Sequence, residues 1–224
     1  MAVHIKSEHA KRLVEQGYDQ IAPAYLDFIT TLPSPNTAWT DKLLARLAHP
    51  STVDVLELGC GNGMPCTAHL ASRVRQITAT DISSAQMALA KQNLAAHENV
   101  TYLQRDMLEL EFEERSFGAI MALYSLQHLT PSEQPLILSK IYSWLASGGV
   151  LLVNFDPEER PGTVMDDWLG VRMYHSSHGA QKSLEMTRAA GFEIIDSEVV
   201  SVVDGKKTVP FLWVLARSPS LPPD

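Results

Sequence analysis

Short apolar runs alternate along this chain with stretches whose apolar residues recur at helical spacing. The runs at 53–58, 76–81, 99–104, Phe117 to Leu123 and Val150 to Phe155 read as strands, and the fourth is apolar enough for burial on both faces. Helices are predicted between them. One runs from Pro65, harmless in a first turn, to about Arg73. Another starts at a cap, Ser83 or Ser84, and reaches about Ala96, with Met87, Ala90 and Leu94 at helical spacing. Thr130-Pro131-Ser132-Glu133 has the form of a capping box with proline at the first helical position, and Ile137, Ile141, Trp144 and Leu145 follow on one face until Ser147-Gly148-Gly149 ends the helix. Strand and helix in alternation imply a parallel sheet covered by helices on both faces. The end of the chain differs. A helix at about Ala180 to Ala190 is stopped by Gly191, and the runs Glu193 to Val203 and Lys207 to Arg217 are joined by Asp204-Gly205, a hairpin signal that makes this pair antiparallel. The fold class is α/β and Rossmann-like, with an antiparallel C-terminal hairpin.

The chemistry concentrates after the first strand. Glu57-Leu58-Gly59-Cys60-Gly61-Asn62-Gly63 carries a strand into a turn almost free of side chains, and Asp81 closes the next strand. Glycines let backbone approach a ligand, and a carboxylate on the neighbouring strand can accept from two ribose hydroxyls at once. The dinucleotide fingerprint G-x-G-x-x-G places its third glycine where this chain has Met64, and no Gly-Lys-Ser/Thr follows to make a phosphate loop. A nucleoside with a charged tail fits better than a dinucleotide.

Composition narrows the partners. The 224 residues are 45% hydrophobic and 20% charged, which suits one domain with a good-sized core. The net charge is -8 and no Lys/Arg run occurs, so nucleic acid is not the expected substrate. Cys60 and Cys66 have no zinc-like histidine partners; no metal is expected, and reduced thiols suit a reducing, cytoplasmic setting. The N-terminus has no apolar leader, and no run approaches the roughly 20 apolar residues of a membrane helix. The tail from Ser218 to Asp224 is expected to fray.

The residues above make a pattern, E-x-G-x-G-x-G followed by a strand-ending acid, that resembles motif I of the class I S-adenosylmethionine (SAM) dependent methyltransferases. The likeness covers about 15–217. Tyr18-Asp19-Gln20-Ile21-Ala22-Pro23-Ala24-Tyr25 resembles a segment that precedes the core in many small-molecule members. Val100 to Met107, Ser116 to Leu129 and Trp144 to Gly149 resemble the third-strand, fourth-strand and pre-fifth-strand motifs. Asp167-Trp168-Leu169-Gly170 with Phe211 to Arg217 resembles a subgroup of compact methyltransferases, and ubiquinone/menaquinone C-methyltransferases are more distant. The resemblance implies seven strands, the last inserted antiparallel beside the fifth. It implies an N-terminal helical lid over 1–48, a SAM-binding core over 49–217 and an acceptor-site insertion at about 156–178. Gly118 and Ser147 depart from the family's usual Asp and Pro.

The resemblance also assigns roles. Gly59, Gly61 and Gly63 pass under the methionine moiety; Asp81 takes the ribose hydroxyls; Ile82 packs on adenine; Asp106 accepts from adenine N6 beside Met107, or caps a helix; Leu123 lines the methionine part. Glu57 holds the turn or the methionine ammonium, or is a structural anchor. Tyr18 and Tyr25 belong to the lid or to the packing of a terminal helix, which Pro23 breaks or restarts. Tyr124, Trp168 and Tyr174 are candidate acceptor-pocket walls. His128, His175 and His178 are candidate bases; the last two fall in a segment that either shapes the acceptor site or is a solvated loop capped at Ser176 or Ser177. The expected activity is transfer of a methyl group from SAM to a small molecule, leaving S-adenosylhomocysteine, by a monomer or homodimer without nucleic-acid or membrane partners. The alternatives are a SAM-binding protein that does not methylate and, less favoured, a nicotinamide-dependent oxidoreductase.

Overall fold

The computed structural model describes residues 5–31, 34–204 and 207–220. Two helices, α1 (Ser7–Thr31) and α2 (Asn36–Leu44), precede the alternating core: β1 (Asp54–Leu58), α3 (Cys66–Ala71), β2 (Gln76–Asp81), α4 (Ser84–Asn93), β3 (Val100–Gln104), β4 (Phe117–Ala122), α5 (Gln134–Trp144) and β5 (Leu145–Phe155). Then come β6 (Glu159–Trp168), β7 (Val171–His178), α6 (Ala180–Ala189), β8 (Glu193–Asp204) and β9 (Lys207–Arg217). Seven strands form one sheet in the order β3-β2-β1-β4-β5-β9-β8, while β6 and β7 pair separately. β1 to β5 are parallel, and β9 enters antiparallel between β5 and β8.

Alternation along each strand feeds two cores. Val55, Met121, Trp213 and Leu215 face α2, α3 and α4, where Trp39 stacks on Trp213 with ring centroids 5.5 Å apart. Leu56, Leu58, Ile120 and Val214 face the opposite way, against Ile137, Ile141 and Trp144 of α5. Both faces are therefore dry, which is why the parallel strands read as unbroken apolar runs.

Several local expectations need correction. Pro23 does not interrupt α1, which continues from Ser7 to Thr31. Its lost hydrogen bond is offset by docking: Val14, Ile21 and Ala22 are buried, and Asp19 reaches the start of α4, accepting from Ala85 N–H at 3.0 Å and the Ser83 hydroxyl at 2.6 Å. The helix expected after Thr130 begins later, at Gln134, with Pro135 rather than Pro131 in its first turn. Glu133 Oε2 accepts from both Thr130 N–H (2.8 Å) and the Thr130 hydroxyl (2.6 Å), holding 130–133 as a turn. That helix ends at Trp144, and β5 already contains Ser147-Gly148-Gly149. Ser83 is the cap of α4, accepting from Gln86 N–H at 3.1 Å. The segment of His175 and His178 is a buried strand rather than a loop. Ser176 and Ser177 cap no helix; the Ser177 hydroxyl donates to Asp156 O at 2.6 Å. Asp204 pairs with Lys207, while Gly205 of the expected turn lies outside the described residues. So do the last four residues of the tail; its first residue, Ser218, is anchored by its N–H to Gly149 O at 3.0 Å. Among the described residues no helix is long and apolar enough to cross a membrane.

Candidate active site

β1 lies between β2 and β4, so the chain leaves the sheet in opposite directions on its two sides and opens a crevice at the strands' carboxyl ends. The glycine turn sits there. Gly59, Gly61 and Gly63 have φ of 77°, 54° and 81°, the left-handed region that side chains resist. Gly59 and Cys60 donate to Thr80 O, each at 2.8 Å. Asp81 completes the stitching: Oδ2 accepts from Gly61 N–H at 2.8 Å and Oδ1 from Ser83 N–H at 2.9 Å. Burial pushes the Asp81 carboxyl up to about 6, against the pull of those N–H groups.

Two connected lobes open over this turn. The smaller, about 80 Å³, is lined by Asp81, Ile82, Arg105, Asp106, Met107 and Lys11. The larger, about 410 Å³, runs under α1 and the β6–β7 hairpin. Gly59, Gly61, Leu123, Tyr124, Tyr18, Tyr25 and His128 line both. α1 forms the roof: Tyr18 meets Tyr25 edge-on at 5.2 Å, and both meet Trp168 of β6, at 5.5 and 5.7 Å.

The remaining predicted residues divide. Glu57 lines the larger lobe and accepts from the Thr67 hydroxyl at 2.7 Å; burial raises its carboxyl to about 7. Asp106 does cap a turn, accepting from Leu108 N–H at 3.0 Å, and it also meets Lys11 Nζ at 2.5 Å. Tyr124 is held at φ 54°, with its N–H on Asn154 Oδ1 (2.6 Å) and its hydroxyl donating to Asn36 Oδ1 (3.0 Å). Such backbone strain, of order 1–3 kcal/mol, persists where surroundings impose it. His128 donates from Nδ1 to Tyr174 O at 2.8 Å, so Nε2 accepts from the Tyr18 hydroxyl at 3.0 Å. Burial lowers its pKa to about 4, leaving it neutral and fully engaged. His175 lines the larger lobe.

Three predicted residues are not brought to either lobe. His178 donates from Nε2 to Pro131 O at 2.9 Å. The Tyr174 ring is only 1% exposed and fills the space beside Gly162, where an added Cβ would stand 2.6 Å from its hydroxyl. Gly63 gives room to Leu94, which would lie 2.7 Å from a Cβ there. In exchange the lobes include Lys11, Ser125, Asp156 and Arg160, which sequence reasoning missed. Asp156 had a signal: it is the first charged residue after the apolar run of β5, at the strand ends that line the crevice.

The chemistry of this lining fits a nucleoside carrying a cationic tail. Acids gather around it, the glycine turn leaves backbone open, and the Ser125 hydroxyl is buried without a partner at the wall of the smaller lobe. Burial drives both cysteine thiols up, Cys66 to about 12, so neither supplies a thiolate.

A parallel sheet with its seventh strand reversed, a glycine turn after β1 and a carboxylate ending β2 is the architecture of class I SAM-dependent methyltransferases. Comparison with known proteins agrees. Residues 55–149 match the family model of a methyltransferase domain. The chain is 28% identical over 201 residues to sterol 24-C-methyltransferase ERG6B of Gibberella zeae, covering 78% of this chain and 50% of that protein. It spans about half the length, or less, of the curated relatives it matches first. Among solved structures, Burkholderia thailandensis 1,6-didemethyltoxoflavin-N1-methyltransferase, with 1,6-didemethyltoxoflavin and S-adenosylhomocysteine bound, superimposes with a TM-score of 0.78 at 20% identity, covering 98% of this chain and 93% of that one. The [4+2]-cyclase SpnF gives 0.72 at 22% identity, covering 99% of both chains. Residues 55–149 are thus similar to a methyltransferase domain, and the chain as a whole has the class I SAM-dependent methyltransferase fold.

Proposed function

We propose that the protein transfers a methyl group from SAM to a small-molecule acceptor held in the larger lobe. The observation that carries this reading is the junction of the two lobes at the stitched glycine turn, with a narrow approach lined by Asp81, Ile82, Asp106 and Met107 on one side and a roofed, aromatic chamber on the other. Asp81, Ile82, Asp106 and Met107 would hold the adenosine end. Gly59, Gly61, Glu57 and Leu123 would border the methionine end, with Tyr18 and Tyr25 above. Tyr124 and Trp168 would wall the acceptor. Bound there, SAM supplies a methyl carbon already activated by its sulfonium. The chain's own work is then to align the acceptor with that carbon and to exclude water, which α1 and the β6–β7 hairpin do by covering the lobe.

The relatives support both the reading and its rival. The toxoflavin enzyme is a methyltransferase, whereas SpnF is a cyclase and a Helicobacter pylori protein 35% identical over 45% of this chain is a carboxy-S-adenosyl-L-methionine synthase. A SAM-binding protein that does not methylate is thus the second reading. A nicotinamide-dependent oxidoreductase is disfavoured by Met64 in the turn and by the antiparallel β9. Two free, buried cysteines accord with a cytoplasmic setting. The test is calorimetric titration with SAM and with S-adenosylhomocysteine, using Asp81→Ala as control. Micromolar binding lost in the variant supports the cofactor, and S-adenosylhomocysteine release with acceptors then separates the two readings. No heat with either ligand would refute both.

A further inference from the structure

The larger lobe brings three titratable side chains, Asp156, Arg160 and His175, to one corner. Asp156, immediately after β5, is 6% exposed. Its Oδ2 lies 2.5 Å from Arg160 Nε and 3.4 Å from His175 Nε2, while Oδ1 accepts from Glu158 N–H at 2.8 Å. His175 Nε2 is sealed from solvent and makes no hydrogen bond of its own, so the Asp156 carboxylate is the group it faces. The same lobe is lined by Tyr25, Phe28, Met165, Trp168 and Met173.

We infer that the acceptor is an aromatic or enolic hydroxyl compound, that His175 Nδ1 takes its proton, and that Asp156 is the positioning residue that makes Nδ1 available. The inference rests on the methyl-transfer reading and names the substrate class of the same site. A carboxylate beside Nε2 keeps the imidazole proton there, which leaves the lone pair on Nδ1. In the step, the acceptor O–H bond breaks, the proton goes to Nδ1 and the electron pair stays on oxygen. That oxygen is the nucleophile of the transfer proposed above. An amine carries a usable lone pair without such help, whereas an aromatic hydroxyl is a weak nucleophile until its proton leaves. The corner therefore suits oxygen. Arg160 is held by Asp156 and Glu158 and fixes the carboxylate that faces His175, and the aromatic side chains of the lobe suit a flat ring.

The groups facing His175 are Asp156 at the end of β5, Arg160 of β6 and the neutral His128, whose ring centroid is 6.5 Å away. Burial holds the imidazole below its ordinary value of 6.5; Asp156 pushes it up and Arg160 pushes it down. It is thus neutral, and able to accept, at pH 7. The 3.4 Å gap is longer than an ordinary N–H···O bond and closes only slightly to become one, as catalytic contacts do when substrate is bound.

The test uses the full chain, its His175→Gln and Asp156→Asn variants, and two probes of equal shape, 1-naphthol and 1-naphthylamine. SAM affinity is measured first by calorimetry, and the His175 tautomer is read from its ¹⁵N shifts without either probe. S-adenosylhomocysteine release is then followed against pH. Expected are an Nε2–H tautomer lost in Asp156→Asn, faster release with the naphthol, and a rate that rises to a plateau as His175 loses its proton below pH 6.5. His175→Gln should lower that rate on the order of 100-fold with the SAM Kd unchanged. Preference for the amine, or a His175→Gln rate within twofold of wild type at intact SAM affinity, would overturn the inference. Failure of the wild type to bind SAM would overturn the methyl-transfer reading instead, and the ¹⁵N result would still decide whether the Asp156–His175 pair exists.

Discussion

Glu57→Gln should make the protein more stable above neutral pH, although it removes a charge from the most recognisable stretch of the chain. Glu57 stands in β1 with 5% exposure, and its one hydrogen-bond donor is the Thr67 hydroxyl at 2.7 Å. Burial raises its carboxyl from 4.5 to about 7; the Thr67 hydrogen bond opposes this and the Asp81 charge adds to it. A carboxyl that resists ionisation in the fold binds more protons there than in the unfolded chain. Its contribution to stability is full below about 4.5, falls as pH rises, and is gone above about 7. At about 1.4 kcal/mol for each pH unit of that gap, the loss comes to about 3 kcal/mol. Gln keeps an oxygen for Thr67 and has no charge to desolvate, so it escapes the loss. Urea unfolding of both proteins at pH 4 and pH 8 measures it. Wild type should lose about 3 kcal/mol more than Glu57→Gln over that range. Asp81, raised to about 6, pulls in the same direction but is present in both proteins, so the difference isolates Glu57. Parallel pH dependences would refute the reasoning and show that Glu57 is paired with a cation or solvated in the fold.

Two further outcomes are expected. Gly59→Ala would set a Cβ 2.5 Å from Ser125 Cβ at φ 77°, whereas Gly170→Ala, at φ 86°, meets nothing within 4 Å; thermal unfolding should therefore show a larger loss for the first, with the second confined to backbone strain of about 1–2 kcal/mol. Equal losses would mean that the turn yields more easily than its packing suggests. Tyr25→Ala removes a ring that roofs both lobes and should raise the Kd for SAM in calorimetry, while an unchanged Kd would reduce α1 to ordinary packing.

The sheet was legible because burial on both faces leaves a simple trace. Leu56 and Val55 point to different cores, yet both are apolar, and the run is unmistakable. The glycine turn and Asp81 were legible for the same reason, since each occupies a fixed place relative to a strand end. The β6–β7 hairpin was not. Its strand β6 is half-exposed, with Glu159, Arg160, Asp166 and Asp167 among its residues, so neither the unbroken apolar run nor a clean alternation marks it. Continuity of α1 through Pro23 was hidden too, because what holds that helix is Asp19 on α4 and the burial of Ile21 and Ala22, contacts across the fold that local propensity does not contain. The places of His178 and Tyr174 follow from one fact: in a strand, neighbours alternate in direction, so Met173 and His175 can enter the lobe while Tyr174 and His178 turn away from it, Tyr174 against Gly162 and His178 onto Pro131 O.

These hard-to-read parts are also the ones that enclose the larger lobe. On the proposed function, the turn, Asp81 and the parallel strands set where a nucleoside would lie. The proposed acceptor chamber is enclosed by α1, by β6 and β7, and by residues just past β5. Elements that meet a variable ligand need not be buried on both faces, and their polar residues answer to the ligand rather than to the core, so they lose the periodicity that betrays a strand or helix. The Asp156–His175–Arg160 corner illustrates the point. Its three residues come from the end of β5, from β7 and from β6, and only the pairing of Thr163 with His175 and of Arg160 with Ser177 across the hairpin brings them to one corner. A shift of that register by one residue would turn His175 away from the lobe while leaving the cofactor side intact. On the proposed function, then, a hairpin register holds specificity, and changes in it would be expected to alter the acceptor without touching the affinity for SAM.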